Sequence, residues 1–582
     1  METCSLFVLQ AILVFCCSLS TVRSEVFTAL ADLEDLLETE SLLISTLEHY
    51  IKAEEEKLNY LKRYAAIYKK QYNKAAEDVQ LYVANPINAY TLVKRLTTDW
   101  KEVENLISTD VNSGKTILFE FIHFSPLSNV IIAWCWSVLL VAYLSTCQVV
   151  RRSSFPDYLA NITYIKENMK FPTEEDLNGA AVALTRLQDT YRLDTSSLAR
   201  GELNGIKYSS ELSAADCFEL GRQSYNNGDY YHTQLWMREA DSRLKRETNV
   251  TVDRSDILEY LAFSTYKQGN LALALDLTNK LLEIFPAHPR AVGNKEYYED
   301  ELQKGVTDKR KGDDGAAVAD TDPSKADPYG REFYEQLCRG EISLPEVEKA
   351  RLKCRYWNKN HPFLLLAPFK VEEAHHRPDI FIFHDVLADS EIATIKRLAQ
   401  PRFRRATVQN TDTGELETAH YRISKSAWLK EEEHKYIADV TRRVSDMTGL
   451  TMSTAEELQV VNYGIGGHYE PHFDFARKEE TNAFKALGTG NRIATVLFYM
   501  SDVAQGGATV FPAISVALWP KKGSAAFWHN LHPSGDGDRL TRHAACPVLT
   551  GSKWVSNKWI HERGQEFLRP CTSNRPPDYL VA

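Results

Sequence analysis

The stretch YEPHFDF, Tyr469 to Phe475, sets a histidine and an aspartate two residues apart, His472 and Asp474. With 16 histidines in the chain, roughly one His-x-Asp is expected by chance, so the pair needs its surroundings to carry meaning. On a strand, residues two apart share a face, so both side chains can converge on one point. From 355 to 570, short apolar runs such as IATVLFYMS, GGATVFP, GSAAFWHN and KWVSNKWIHE alternate with Gly, Pro and Asp turns. This pattern predicts an antiparallel sandwich or jelly roll, and a double-stranded β-helix is expected for residues 355–582.

A third ligand would come from a distant strand of such a barrel, and TRHAACPVL supplies His543. Two imidazoles and a carboxylate on one face of a metal are the facial triad of non-haem Fe(II) oxygenases, which leave the opposite face open. Zinc would usually recruit a further ligand or a water. Lys553, in TGSKWVSNKW, falls near the start of the following strand. A solvated strand end is the commoner fate of a lysine, but Gly551, Trp554 and Trp559 around it favour burial. A buried ammonium there suits the distal carboxylate of 2-oxoglutarate.

The 582 residues allow three or four domains, and the hydrophobic (44%) and charged (25%) shares are those of globular protein. A formal net charge of −11 argues against nucleic acid as a partner, because phosphate binding needs basic surface. Residues 1–24 read as a secretory signal peptide, apolar from Leu6 to Cys17. Sequons at Asn161 and Asn249 suit a lumenal protein. The nearby pairs Cys338 with Cys354 and Cys546 with Cys571 would form disulfides and leave Cys217 free, although spacing alone fixes no connectivity.

Residues 25–207 read as a helical domain. Positions 30, 33, 37, 40, 44, 47, 51, 54, 58, 61, 65 and 68 make an a/d seam broken at Glu40 and Glu54. Such a seam wants a second helix, either from its own bundle or from a second copy. Within this domain, residues 115–156 are anomalous: Pro126 to Val150 carries no charged residue and qualifies by length as a membrane span. A span there would put the later cysteines and the sequon at Asn161 in a reducing compartment. A translated intron, absent from the working protein, accounts for the segment, with a membrane-tethered isoform as the other reading.

Residues 208–302 hold two helix-turn-helix units aligned on Gly228-Asp229-Tyr230 and Gly269-Asn270-Leu271, as in tetratricopeptide repeats. Their tyrosines, Tyr225, Tyr230, Tyr231, Tyr260, Tyr266, Tyr297 and Tyr298, suit a groove for polyproline II peptides, whose rings pack flat on aromatic faces. About half should instead be inter-helix core. Residues 303–354, beginning QKGVTDKRKGDDGAAVADTDPSKADPYG, read as a linker.

NYGIGGHYEPHFDFARK, LGTGNRIATVLFYMSDVAQGGATVFP, WPKKGSAAFWHNL and TRHAACPVLTGSKWVSNKWIHERGQEF together resemble the catalytic alpha subunits of the collagen prolyl 4-hydroxylase family. DCFELG and DYYHTQLW resemble the family's peptide-substrate-binding domain, and YIKAEEEKLNYLKRY its N-terminal dimerisation region. The resemblance implies a multidomain α+β chain with Fe(II) at His472, Asp474 and His543 and 2-oxoglutarate at Lys553. It places His561 at the co-substrate's metal-binding end, Tyr463 and Thr495 along the same pocket, and Asn294 with the groove tyrosines. It further implies hydroxylation of proline at C4 in X-Pro-Gly sequences, L-ascorbate as reductant, protein disulfide isomerase as beta subunit of an α2β2 tetramer, and the endoplasmic reticulum lumen. Lysyl hydroxylases resemble this site but characteristically hold the distal carboxylate with arginine, so Lys553 favours proline. A non-catalytic proline-rich-peptide binding protein or chaperone is the alternative.

Overall fold

The computed structural model describes residues 30–108, 163–168, 171–247, 251–304, 330–358, 362–409, 416–480, 483–573, 576–577 and 580–581. The leader 1–24, the segment 115–156 and the sequon residues Asn161 and Asn249 lie outside the described residues. Among the described residues no helix is long and apolar enough to cross a membrane.

The chain forms two compact units, residues 1–77 with 98–171, and residues 78–97 with 172–582. In the first, the helix Leu30–Glu77 runs for 48 residues. Tyr60, Tyr64 and Tyr68 recur every four residues on one face, with ring centroids 5.0 and 5.7 Å apart, and Tyr68 meets Trp100 of the helix Trp100–Ser108. The seam residues Ile44, Leu47, Ile51 and Leu58 are exposed.

In the second unit, the helix Glu174–Tyr191 starts on a capping box, Thr173 with Asp176, and five helices follow from Ala214 to Gln303. Ser213, Asp229, Asp253, Asn270 and His288 each cap one of these five N-termini. Paired helices approach where side chains are small: Ala262 and Ala274 are buried, and a Cβ on Gly221 would stand 2.8 Å from the Met237 methyl.

The oxygenase-type domain is two antiparallel sheets. The nine-stranded sheet runs Cys354–Trp357, Phe369–His375, Ile380–His384, Ala525–His529, Arg492–Tyr499, Lys553–His561, Leu458–Tyr463, Lys425–Leu429, Arg404–Arg405. The five-stranded sheet runs Val516–Leu518, Thr509–Phe511, His543–Ala545, His468–His472, Arg422–Ile423. The outer face of the large sheet packs on the helices Asp389–Ala399 and Lys435–Thr448 through Ile392, Ile395, Ile437, Val440 and Val444. Its inner face, with Val461, Leu497, Tyr499 and Val555, packs with Phe511 and Ala545 of the small sheet. Alternation along each strand thus separates a greasy back from a front that carries the polar site.

Two expectations are corrected here. Part of the stretch read as linker, Gly330–Arg339, is an amphipathic helix whose Tyr334, Leu337 and Cys338 bury against Ala508, Val510, Ala544 and Cys546. That packing brings Cys338 to Cys546, with which it forms a disulfide at a Cα separation of 5.5 Å. The pairs Cys338–Cys354 and Cys546–Cys571 are therefore not formed; Cys354 and Cys571 are exposed thiols and Cys217 is a buried one. Nearness along the chain misled because the helix docks on a strand 208 residues away.

Candidate active site

His472 ends one strand of the small sheet and His543 begins its antiparallel neighbour, and the two residues are direct partners in the ladder. Asp474 follows two residues beyond His472. The ligand-type atoms of His472, Asp474 and His543 lie within 4.8 Å of one another. Each imidazole is oriented through its far nitrogen, His472 Nδ1 on the Glu470 carbonyl at 2.7 Å and His543 Nδ1 on the Thr541 carbonyl at 3.0 Å. Those carbonyls accept an Nδ1–H and leave both Nε2 lone pairs turned toward Asp474, at 3.8 and 3.6 Å. Burial, aided by the neighbouring His543, holds His472 well below the usual imidazole range, so it stays an unprotonated ligand. Burial pushes the Asp474 carboxyl up, but His543, His472 and Arg492 outweigh it and hold it at about 2. Two imidazole nitrogens with an ionised carboxylate are the donor set a divalent cation requires.

Behind this cluster, Thr495 Oγ1 donates to Asp474 Oδ2 at 2.8 Å and accepts from Asn530 Nδ2 at 2.9 Å. Thr495 thus supports the carboxylate from behind. His561 ends the strand Lys553–His561. Residues 553, 555, 557 and 559 of its strand line the cavity in alternation, but the strand outruns it. His561 is fully buried beyond the cavity's end, with Nε2 on Glu456 at 2.9 Å and Nδ1 on the Gly490 carbonyl at 2.7 Å.

Lys553 and Tyr463 do line the cavity and are register partners. Lys553 is 1% exposed, and its Nζ donates to Thr509 Oγ1 at 3.3 Å. Among the described residues no carboxylate forms an ion pair with it, and burial lowers its pKa to about 7. Arg422, which sequence reasoning missed, brings a second buried cation to the same cavity. It lies 4.8 Å over the Tyr469 ring and donates to the Thr407 carbonyl, while its Nε has no hydrogen-bond partner among the described residues. Against these two cations stands one carboxylate, Asp474. The cavity therefore fits a small polyanion such as a dicarboxylate, together with a divalent metal.

Arg492 and Glu456 were missed as well. Arg492 is paired with Glu456 through Nε and Nη2, lies 3.8 Å over Trp559, and donates Nη1 to the Asp474 carbonyl at 3.3 Å. Tyr469 stacks on His472 at 3.5 Å, and Trp528 packs edge-on to His543 at 4.8 Å.

In the helical region, Tyr225 meets Tyr230 at 5.7 Å and Tyr260 at 4.9 Å, and Phe263 bridges Tyr225 and Tyr230 to Tyr266. Tyr266 continues to Tyr297, ring to ring at 5.7 Å and hydroxyl to hydroxyl at 3.2 Å. Asn294 stands one turn before Tyr297 on the helix Pro289–Gln303. Tyr231 departs from this ladder and packs on His232, while Tyr298 is buried core.

A two-sheet jelly roll holding His-x-Asp, a distant His and a buried lysine defines an Fe(II)- and 2-oxoglutarate-dependent oxygenase, and the family model of the 2OG-Fe(II) oxygenase superfamily matches residues 458–561. The model of the prolyl 4-hydroxylase peptide-substrate-binding domain matches residues 214–304, and that of the prolyl 4-hydroxylase alpha-subunit N-terminal region matches 29–123 and 144–205. The chain is 48% identical to prolyl 4-hydroxylase subunit alpha-1 of Homo sapiens over 553 residues, 94% of this chain and 95% of that protein. It is 49% identical to prolyl 4-hydroxylase subunit alpha-2 of Caenorhabditis elegans over 575 residues, 97% of this chain and 96% of that one. The chain belongs to the prolyl 4-hydroxylase alpha-subunit family.

Proposed function

We propose that this chain is the catalytic alpha subunit of a procollagen-proline 4-dioxygenase. One observation carries the reading: in a chain akin to these subunits over nearly its whole length, the three ligand-type side chains and the unpaired Lys553 share one cavity. His472, Asp474 and His543 would hold Fe(II), and Lys553 the distal carboxylate of 2-oxoglutarate. When bound, the metal supplies the oxidative chemistry by which O2 and 2-oxoglutarate become succinate and carbon dioxide and one oxygen enters the C4–H bond of proline. L-Ascorbate is the reductant expected of the family.

The chain's own residues do the rest. The Glu470 and Thr541 carbonyls fix both histidine tautomers, and Thr495 and Arg492 hold Asp474 from its side-chain and backbone oxygens. Lys553 and Arg422 balance the charge of the co-substrate. Tyr469 and Trp528 flank the imidazoles with apolar surface and keep water from them.

The test is succinate formation by the purified complex with Fe(II), 2-oxoglutarate and a Pro-Pro-Gly peptide, with 4-hydroxyproline identified in the product. Peptide binding without succinate would favour the non-catalytic binding protein.

The finer proposals follow the family. The exposed seam of Ile44, Leu47, Ile51 and Leu58 is assigned to self-association. Protein disulfide isomerase is the proposed beta subunit of an α2β2 tetramer in the endoplasmic reticulum lumen, with glycans on Asn161 and Asn249. Residues 115–156 are proposed to be absent from the working enzyme, in keeping with the unmatched stretch between 123 and 144 in the N-terminal family match. The proposed domains are 25–207 for dimerisation, 208–302 for peptide binding and 355–582 for catalysis.

The tyrosine ladder is the proposed groove for proline-rich substrate. Tyr230→Ala, Tyr260→Ala or Tyr297→Ala should raise the KM for a long proline-rich polymer by about tenfold and leave that for a single triplet unchanged. A groove separate from the catalytic cavity acts only through effective concentration. Kinetics on peptides of graded length decide it, and equal effects on short and long substrates would refute a separate groove.

A further inference from the structure

The helix Glu174–Tyr191 has two working sides. On one it holds the peptide-binding helices: Gln188 Oε1 accepts from Trp236 Nε1 at 2.8 Å, Asp189 faces His232 Nε2 at 3.1 Å, and Asn178 accepts from Asn227 at 2.6 Å. On the other it lies against the oxygenase domain at two places, the turn 464–467 and the paired stretches 505–507 and 547–549. Arg186 Nη1 donates to the Gly466 carbonyl at 3.1 Å, and the Tyr191 hydroxyl donates to the Pro547 carbonyl at 2.5 Å. Each place carries a glycine at positive φ, Gly466 at 67° in the turn and Gly506 at 78° in the first of the paired stretches. The helix approaches each too closely for any side chain: a Cβ on Gly466 would stand 2.6 Å from Ala183 Cβ, and one on Gly506 2.5 Å from the Tyr191 hydroxyl. Ile465 and Leu549, from these same two places, pack into the helical core with Leu184 and Leu187.

Where these two places lead gives this contact its meaning. The first joins Tyr463, on the cavity wall, to the strand that ends in His472. In the second, the Pro547 carbonyl accepts both the Tyr191 hydroxyl and the Gly507 N–H, and a Cβ on Gly507 would lie 3.5 Å from Lys553 Cδ. The stretch covering the co-substrate lysine is thus tied to the phenol. Burial raises the Tyr191 pKa, so the hydroxyl keeps its proton and remains a donor at neutral pH.

We propose that Tyr191 and Arg186 are positioning residues for the hydroxylation, supplied from outside the oxygenase domain by the helix that also carries the peptide-binding helices, and that they hold the Gly466 turn and the paired stretches at Gly506 and Pro547 in the shape that fits 2-oxoglutarate at Lys553. The proposal rests on the function assigned above. Neither side chain lines the cavity; both act through these segments.

The experiment uses the full-chain complex bearing Tyr191→Phe, Arg186→Ala or Arg186→Lys beside the unmodified enzyme. Tyr191→Phe removes one oxygen and keeps the ring, so the fold is preserved. Losing one buried hydrogen bond should raise the KM for 2-oxoglutarate about five- to tenfold, with binding of a long proline polymer unchanged. Arg186→Ala should act similarly and Arg186→Lys recover most of the loss. Without metal or co-substrate, hydrogen exchange of Tyr191→Phe should quicken at 505–507 and 548–549 and nowhere else. An unmodified enzyme that makes no succinate overturns the function; one that turns over, beside a Tyr191→Phe variant with the same KM and unaltered exchange at these stretches, overturns the positioning role alone.

Discussion

His543→Ala abolishes peptide-dependent succinate formation and leaves assembly and peptide binding intact. The residue's backbone belongs to the ladder with His472, which any side chain maintains, whereas its imidazole sits in the cavity between Phe511 and Trp528. Removing it takes the donor set from three to two. It also strips Asp474 of a neighbour that helps hold its carboxyl at about 2, while Thr495 still donates to Oδ2. Loss of a partner that merely orients a metal ligand typically costs about 10–100-fold, so loss of a ligand should exceed a hundredfold. The groove tyrosines are on separate helices and keep their affinity. Succinate assays with calorimetric peptide titration check the result, and more than a few per cent of residual turnover would refute the triad.

Lys553→Ala should act almost entirely through 2-oxoglutarate. A carboxylate brought into a buried site without its cation is left uncompensated, at a typical cost of about 3–5 kcal/mol, or two to three orders of magnitude in apparent affinity. Arg422 remains in the cavity and sets a floor under the loss. The same lysine gives the unmodified enzyme a pH dependence. Burial holds its pKa at about 7 before the co-substrate enters, and a bound carboxylate favours the charged form. Below pH 7 the ammonium is already present and affinity is flat. Above it a proton must be taken up on binding, and affinity falls by up to about tenfold per unit. A KM for 2-oxoglutarate that is level from pH 6 to 9, or unmoved by the substitution, would place Lys553 outside the binding site.

How much of this was legible depended on how local each signal is. His472 and Asp474 were readable because strand parity puts them on one face, and Lys553 because its tryptophan and glycine neighbours announced burial. His561, placed by resemblance alone, shares the parity of Lys553 and stands at the far end of the same strand. Thr495, also placed by resemblance, stands behind the carboxylate and bonds to it. Arg422, Arg492 and Glu456 gave no sequence signal, because a long side chain finds partners contributed by other segments, as Arg492 finds Glu456, Trp559 and the Asp474 carbonyl. The Gly330–Arg339 helix was hidden by the charged, glycine-rich stretch before it. Only its docking on the small sheet revealed which cysteine Cys338 would meet.

The aromatic ladder from Tyr230 to Tyr297 has a statistical consequence. Its rings succeed one another at 4.9 to 6.2 Å, mostly edge to face, with aromatic chemistry repeated at each step. A proline-rich polymer laid along it repeats too, in turns of three residues. Such a chain can settle in many equivalent registers, and its association constant is multiplied by their number. Ten registers are worth about 1.4 kcal/mol without one new contact. A groove of this kind recognises repetitiveness itself, and a chain can shift by one triplet without letting go of most rings.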